Sequence, residues 1–572
     1  MDKKTIILVV ALGLLVIFWM PIMTTLGLMK APAPQPQRTT ADSSQVAQEA
    51  NKISATQDST AAPIAASKVA HSDTTSASQA ENIVEDSIIV ETEAWIVTLS
   101  NYGGGPVSHK LKNYKYLDGN LIEMLPSCQK ATPELDFNAL KVNAGKITYQ
   151  ASLAKGKYIV GSTPLELAYT YKGEGGGTLI KKYRFYNNKY QYDLIIEVID
   201  RASLGIEREY SLEWNNPLEP TELRLYDDYN AMWAMGHMGG ERIKFDDYTD
   251  NKYSISLSGS TNWIATRSKY FASILVPRSQ LASGAKSSGV KEKLVTPHET
   301  VQKRNITIGL MMEIPSGDKL VDSFSVFVGP MDYDILKSFD NTVVDIFDIG
   351  TTPVVGWIIK IFAIPIMWIL PRMYAVIPNY GFVIMIFALI IKLITLPLSK
   401  KTVKSMMAMK ELQPKMEELK KKHKNNPQAL NKEMMKLYKD MGINPFSGCL
   451  PYLPQLPLFF ALFAVFSSTI LLRQAPFLFW WNDLSRGALS LTDPYIILVA
   501  LMMILMFVQQ KMTMTDPKNK MLIYLMPVMM GFFFYKASAG LVLYWTSFSL
   551  FSFIEQLVFK PKKLAPFPEI KS

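Results

Sequence analysis

Residues 5–29 carry no charged side chain. As a helix at 1.5 Å per residue such a run is roughly 37 Å long, more than the ~30 Å hydrocarbon core of a bilayer. A chain with this feature is organised around a membrane. The run follows Lys3 and Lys4 and is much longer than the roughly 7–15-residue apolar core of a cleavable signal. The prolines in Ala31-Pro32-Ala33-Pro34 also make a poor small-residue cleavage site. Residues 1–30 therefore read as an uncleaved anchor whose N-terminus is cytoplasmic.

Five more apolar runs follow, at about 380–399, 450–472, 495–509, 521–535 and 541–559. A further run at 357–377 is long enough to cross, but Lys360, Pro365, Pro371 and Arg372 suit a helix lying in the interface. Charge supports that choice. Residues 400–445 hold twelve Lys against five acids (Glu411, Glu417, Glu418, Glu433 and Asp440), and counting 357–377 as a span would put them outside. The positive-inside rule forbids that. The loop 511–520 and the tail with Lys560, Lys562 and Lys563 then also fall in the cytoplasm. The outer loop 473–494 is balanced, with Arg473 and Arg486 against Asp483 and Asp493. The expected fold class is a membrane α-helical protein with six transmembrane helices plus a mostly-β extracytoplasmic sandwich domain. Two of the runs, 495–509 and 521–535, would span only about 22 Å, so either their ends extend or the bilayer thins around them.

The soluble part lies between the anchor and the other runs. Residues 31–82 are rich in Ala, Ser, Thr, Gln and Pro and read as a disordered linker. From Ile83 onward the pattern changes to strands. Trp95, Val97 and Leu99 alternate with polar residues until Asn101-Tyr102-Gly103-Gly104-Gly105. Tyr183 and Phe185, a turn at Asn187-Asn188, and Tyr190, Tyr192, Leu194, Ile196 and Val198 form a predicted hairpin. Phe324, Val326 and Val328 make a late strand ending at Gly329-Pro330. Residues 83–338 are thus expected to form a β-sandwich large enough for its own core. Residues 339–377 form the amphipathic interfacial segment, 378–560 the membrane core, and 561–572 a basic cytoplasmic tail.

Cys128 and Cys449 lie in segments of different character, which excludes a disulfide framework. The five histidines lack metal-ligand spacing. No phosphate-binding Gly-x-x-x-x-Gly-Lys-[Ser/Thr], His-Glu-x-x-His or Gly-x-Ser-x-Gly occurs, so neither an enzyme nor a cofactor is expected. The net charge of +10 could suggest nucleic acid, but the lysines crowd beside apolar runs, where topology and lipid head groups explain them. No direct DNA partner is expected.

The cytoplasmic segment 400–445 carries Met409, Leu412, Met416 and Leu419, then Leu430, Met434, Leu437 and Met441, at helical spacing on either side of Lys424-Asn425-Asn426-Pro427. This pattern predicts a helical hairpin with an apolar seam and a basic outer face, including Lys420, Lys421 and Lys422. The hairpin is either a solvated element that sets topology or a docking surface for a nascent chain, the ribosome or the translocon. Methionine, which repacks against varied apolar partners, suits the second role.

One charge lies inside an apolar run. Lys392 near a helix centre costs about 2.5–3.5 kcal/mol on insertion scales. Thr395 and Ser399 share its face. The last run has a polar stripe at Thr546, Ser549, Ser552 and Gln556, and Gln455 adds an amide near the start of another. A hydrated groove explains these residues; so does a lysine that snorkels to the interface.

The motif Asn444-Pro445-Phe446-Ser447-Gly448-Cys449-Leu450-Pro451 with Gln455-Leu456-Pro457 resembles the third-span signature of the YidC/Oxa insertases. Asp483-Leu484-Ser485 and Asp493-Pro494-Tyr495 resemble their outer loop. Met526-Pro527-Val528 and Gly540-Leu541-Val542-Leu543-Tyr544 resemble their fifth and sixth spans. Lys392 occupies the place of the family's groove cation. The β domain looks like the periplasmic domain of the Gram-negative form, with Trp263, Tyr270 and Phe271 in a matching setting. The resemblance implies a monomeric insertase of the bacterial inner membrane, with both termini cytoplasmic and the large domain periplasmic. It also implies a substrate groove lined by Lys392, Thr395, Ser399, Gln455, Tyr544, Trp545, Ser549 and Ser552. Nascent membrane proteins and lipid would be its partners, alone or with the Sec translocon. Two positions depart from the pattern: Pro454 stands where an aliphatic residue is usual, and Trp545 where a second tyrosine often follows Tyr544.

A secondary transporter would be the competing class, but the internally repeated spans common in such proteins are not evident. A chaperone without insertion activity is a third reading. If residues 357–377 lie along the outer surface, cysteines substituted at Lys360 and Arg372 should both react with an impermeant reagent added outside. Labelling of the two from opposite sides would refute that topology.

Overall fold

The computed structural model describes residues 87–126, 130–137, 143–206, 208–297, 299–349, 356–424, 426–440, 452–513 and 520–559. The anchor, the linker, both cysteines, the motif 444–451 and the basic tail lie outside the described residues, as does the side chain of Met409.

The β domain contains two sheets. The smaller orders its strands Leu121–Glu123, Gly105–Lys115, Trp95–Ser100, Ser87–Glu91 and Gly156–Ile159, the last pair parallel. The larger centres on long antiparallel strands, among them Lys252–Arg267, Ala282–Val295, Thr300–Glu313 and Lys319–Pro330. The predicted hairpin is present as Thr178–Phe185 paired with Gln191–Ile199, turning through Asn188 at a φ of 54°. In the second strand Tyr192, Leu194, Ile196 and Val198 point inward and their neighbours outward, as a period of two requires.

Aromatic residues join the two sheets. Trp95 of the smaller sheet packs edge-on against His109 at 4.3 Å and meets Tyr192 of the larger at 5.9 Å. Tyr183 donates to the Gly104 carbonyl at 2.8 Å and Lys181 to that of Gly103 at 2.7 Å, so the glycine turn after Trp95–Ser100 is tied to the opposite sheet. Gly103 and Gly104 hold φ of 75° and 58°, a conformation that disfavours side chains.

The chain leaves this domain through a short helix, Tyr333–Phe339, and a 3-10 turn, Val343–Phe347. Trp263 donates to the Thr342 hydroxyl at 3.0 Å and Arg267 to the Ile346 carbonyl at 2.9 Å, holding that exit against the sheet. Among the described residues seven α-helices follow: α1 Gly356–Val376, α2 Tyr380–Lys422, α3 Pro427–Asp440, α4 Tyr452–Ser468, α5 Ile496–Thr513, α6 Lys520–Phe534 and α7 Ala539–Val558. Among the described residues α1, the first part of α2 and α7 are long and apolar enough to cross a membrane, and shorter apolar stretches lie in α4, α5 and α6. The run expected at 450–472 ends as a helix at Ser468, because Thr469 turns extended and its hydroxyl accepts from Leu471 N–H at the start of a 3-10 turn. The expected span at 380–399 and the first arm of the hairpin are one unbroken helix, α2, although it contains Pro397 and Pro414.

Arg473 fastens the helices to the β domain. Its Nε lies 2.6 Å from Glu222 and its Nη2 donates to the Lys115 carbonyl at 2.9 Å. Gln474 reaches the same carbonyl at 3.0 Å. The charge balance of the outer loop is thus met partly across the domain boundary.

His109 is fully buried, and neither ring nitrogen has a hydrogen-bond partner among the described residues. Burial pushes its imidazole down to about 3, against about 6.5 in an unfolded chain. The unfolded state therefore takes up a proton first as pH falls, so this stabilisation is complete above about pH 6.5 and is lost on the way down to about pH 3. At the acid end the loss is roughly 4–5 kcal/mol. His109→Phe, which keeps the aromatic contact with Trp95, should flatten the fall in thermal stability between those limits. An unchanged slope would show that His109 is not responsible.

Candidate functional site

The site is built from the outer ends of α2 and α7. Asn379 caps α2, its side chain accepting from Gly381 and Phe382 N–H. Gly381 leaves room for the ring of Phe477, which a Cβ would strike. At the start of α7, Ala539 and Gly540 donate backbone hydrogen bonds to Arg486 and Leu484. The acids behind the outer-loop motifs shape that loop. Asp483 accepts from Gln474 N–H, Ser485 N–H and the Ser485 hydroxyl, and Asp493 accepts from Leu489 and Tyr495 N–H. Arg486 lies 3.9 Å over the Tyr495 ring.

With their outer ends fixed, α2 and α7 pack closely, and the polar residues of both fall in one seam. Twelve residues into α2, about 18 Å along its axis, Lys392 is 5% exposed and its Nζ lies 2.5 Å from Glu555 of α7, itself 2% exposed. The same ammonium donates to the Ser552 hydroxyl at 2.9 Å and sits 5.1 Å over the Phe548 ring. Lys392 is therefore not exposed at the surface of the helices. Nor does it face the seam as a lone cation, because Glu555 neutralises it. The signal was present in the sequence: Glu555 follows Ser552 at i+3 on the polar face of the last run, and is its only acid.

The other expected groove residues are distributed unevenly. Thr395 is half-buried and returns its hydroxyl to the Ile391 and Lys392 carbonyls, and Ser399 is half-buried one turn further on. Thr546, Ser549 and Ser552 are buried with Glu555 on α7. Tyr544 is buried and its hydroxyl approaches the Gln455 amide between α7 and α4, short of a well-formed hydrogen bond. Trp545 faces elsewhere: it packs on Phe459 and Phe534 at 5.3 and 5.7 Å, in an aromatic cluster of α4 and α6. Adjacent helical residues point about 100° apart, so Tyr544 and Trp545 cannot both face the polar seam.

In the hairpin, Leu412, Met416 and Leu419 of α2 meet Met434, Leu437 and Tyr438 of α3. Tyr438 places its hydroxyl 3.6 Å from the Met416 sulfur, and His423 lies 3.1 Å from Glu433 across the turn. Met416 and Met434 thus act as packing in the seam, whereas Lys421 and Lys422 are exposed and Lys420 is half-exposed.

An apolar helical half with a charge pair buried between two helices, joined to a large β-sandwich, defines a membrane protein with a soluble domain on one side of the bilayer. Residues 372–565 match the family described as the 60Kd inner membrane protein, and residues 87–369 match the YidC periplasmic domain. The membrane protein insertase YidC of Chlorobium limicola is 33% identical over 584 residues, covering 97% of this chain and 94% of that protein. That of Prosthecochloris aestuarii is 32% identical over 576 residues, with 96% and 93% covered. The chain belongs to the YidC family of membrane protein insertases. It is accordingly an inner-membrane, multi-pass protein with its β domain in the periplasm. A crystal structure of an active YidC insertase with its first transmembrane domain resolved aligns at 19% identity over 84% of this chain and 94% of that one, with a TM-score of 0.35. A galactose mutarotase related enzyme from Lactobacillus acidophilus aligns at 11% identity over 42% of this chain and 97% of its own, with a TM-score of 0.27.

Removing one member of a buried ion pair leaves the other uncompensated, at a cost of about 3–5 kcal/mol, whereas replacing both by apolar residues is often neutral. Lys392→Met alone should therefore destabilise the membrane half by about that amount, and Lys392→Met with Glu555→Leu should recover most of it. Unfolding in mixed micelles measures this; equal losses in the single and double variants would mean that the pair is not coupled.

Proposed function

We propose that the chain moves substrate helices from the cytoplasm into the bilayer along the polar seam between α2, α4 and α7, alone or beside the Sec translocon. The observation that carries this reading is the buried Lys392–Ser552–Glu555 cluster. A polar tail crossing bare lipid leaves backbone groups unsatisfied at several kcal/mol each, and a seam of hydroxyls, an amide and a charge pair offers those groups partners. Because Lys392 is held by Glu555, an incoming acidic tail competes with that carboxylate, and transfer is an exchange of partners. A unit charge pair 4 Å apart is worth roughly 4 kcal/mol at an effective dielectric of 20, before desolvation. That biases an encounter without trapping the substrate.

Six spans with both termini cytoplasmic go with this function, made of the anchor within residues 1–30 and the apolar parts of α2, α4, α5, α6 and α7. The helix α1 lies along the outer surface in this arrangement. Its support is that Lys360 and Arg372, near opposite ends of α1, pair with Asp345 at 3.6 Å and Asp334 at 4.0 Å, both in the exit segment of the periplasmic domain. A helix crossing the bilayer would carry one of these cations away from that domain. The lysines on the outside of the α2–α3 hairpin are the docking surface for the nascent chain or the ribosome, and Met416 and Met434 hold the hairpin closed. Residues 31–82 are a passive linker, and the chain works as a monomer.

Reconstituted insertion of a substrate series with acidic, neutral and basic tails tests the mechanism. Lys392→Arg should keep most activity. Lys392→Ala should slow acidic-tailed substrates roughly tenfold, the equivalent of about 1.4 kcal/mol, and leave short neutral tails nearly unaffected. Equal insertion of the whole series by Lys392→Ala and Lys392→Glu would remove any electrostatic role for the seam.

A further inference from the structure

A second polar site lies at the other end of the membrane half. Between the base of the β domain and the outer ends of α4 and α6 is a cavity of about 580 Å³, within the range of small-molecule sites. Its upper wall carries Arg224, Arg267 and Lys269 from the domain, joined by Lys536 from the loop after α6. Two acids share the wall, Asp227 and Asp348, so the cavity is positive by two charges. Both acids are already engaged: Asp227 with Arg224 at 3.2 Å, and Asp348 with Arg242 at 3.7 Å.

The lower wall is mainly apolar, since the hydroxyls of Ser467 and Ser468 on α4 turn back to the Phe463 and Ala464 carbonyls. Phe463 of α4 and Phe533 of α6 meet at 6.1 Å, and Phe533 is 51% exposed and Phe532 beside it 85% exposed. Exposed phenylalanines on membrane helices face acyl chains. The cavity is thus cationic on its domain side and bordered by exposed aromatic rings on its helix side.

Three details show a built site. Ser538 occupies the N-cap position of α7, where a serine hydroxyl ordinarily accepts from the helix, yet it makes no capping bond. That hydroxyl is buried, lines the cavity, and has no partner among the described residues. Arg267 is buried and stacked 4.5 Å over Trp233, and its bonds to the Ser268 and Ile346 carbonyls occupy only part of its five-donor fork. Arg224 donates to the Lys536 carbonyl at 3.1 Å, closing one side of the cavity between domain and helices.

We infer that this cavity binds the phosphate head group of an anionic phospholipid from the outer leaflet, with an acyl chain along Phe463 and Phe533. The inference goes beyond insertion and rests on the membrane placement of α4 and α6 proposed above. The arginine and lysine donors match phosphate oxygens, the Ser538 hydroxyl adds a neutral donor, and the aromatic floor takes what a soluble anion lacks. A bound lipid would seal the seam between the domain and the helices.

The full-length protein in detergent, titrated with dioctanoyl phosphatidylglycerol, dioctanoyl phosphatidylcholine and glycerol phosphate and read by native mass spectrometry, tests this. Phosphatidylglycerol should bind roughly tenfold or more tightly than either of the others, since it alone combines net negative charge with chains. Lys269→Gln with Lys536→Gln should weaken it about tenfold, Ser538→Ala by a few-fold, and Lys269→Arg with Lys536→Arg should retain it. Equal affinity for the two lipids in the unaltered protein, or glycerol phosphate binding as tightly as phosphatidylglycerol, would overturn the proposal. So would indifference to the glutamine pair. The comparison of ligands on unaltered protein stands even if the glutamine variant does not fold, and none of these readings depends on insertion activity.

Discussion

A lysine and a glutamate buried together between two membrane helices constrain everything around them. Either charge alone would be expelled to the interface or would neutralise itself. Together, with the Ser552 hydroxyl and the face of Phe548, they are held where an isolated charge would be costly. Bringing them within 2.5 Å requires α2 and α7 to be in register along their lengths, and that register is set at their outer ends. Asn379 caps one helix, the backbone of the Asp483–Arg486 turn receives the first amides of the other, and the loop between is organised by two aspartates accepting backbone hydrogen bonds. The outer-loop acids are therefore structural elements of the inner polar seam.

The β domain is attached to this assembly by charges spread over its base. Arg473 reaches up from the outer loop to Glu222, Arg224 reaches down to the Lys536 carbonyl, and both cations of α1 engage the domain's exit segment. The cavity beneath the domain lies among these contacts. Contacts distributed in this way fix the orientation of a large soluble body against a thin membrane layer, which no single exposed ion pair achieves.

The hairpin follows a different economy. Its seam is small, with Leu412, Leu437 and Tyr438 at the centre, and one turn of chain closes it. Methionines at its edge suit such a seam because their side chains fill irregular gaps. The continuity of α2 joins this seam to the helix carrying Lys392.

Much of this was legible in the residues. Period-two alternation at Tyr192, Leu194, Ile196 and Val198 located a strand, since side chains on a pleated backbone must alternate. Uncharged runs located the membrane half, since water cannot satisfy a backbone inside lipid. The lone Lys392 marked the polar seam, and the motifs about it pointed to the family. What tertiary structure alone decided are the relations across distance. The partner of Lys392 is 163 positions away, at Glu555; the polar face of the last run marked that acid as a candidate, and only the register of α2 against α7 brings the two together. Tyr544 and Trp545 are neighbours in sequence, and only the packing of α4 and α6 sends one to the seam and the other to an aromatic cluster. The cavity at Ser538 arises from residues of six separate segments, gathered when the domain settles on its helices. Local sequence sets periodicity and hydrophobicity because these act over a few residues; pairing and enclosure wait for the fold.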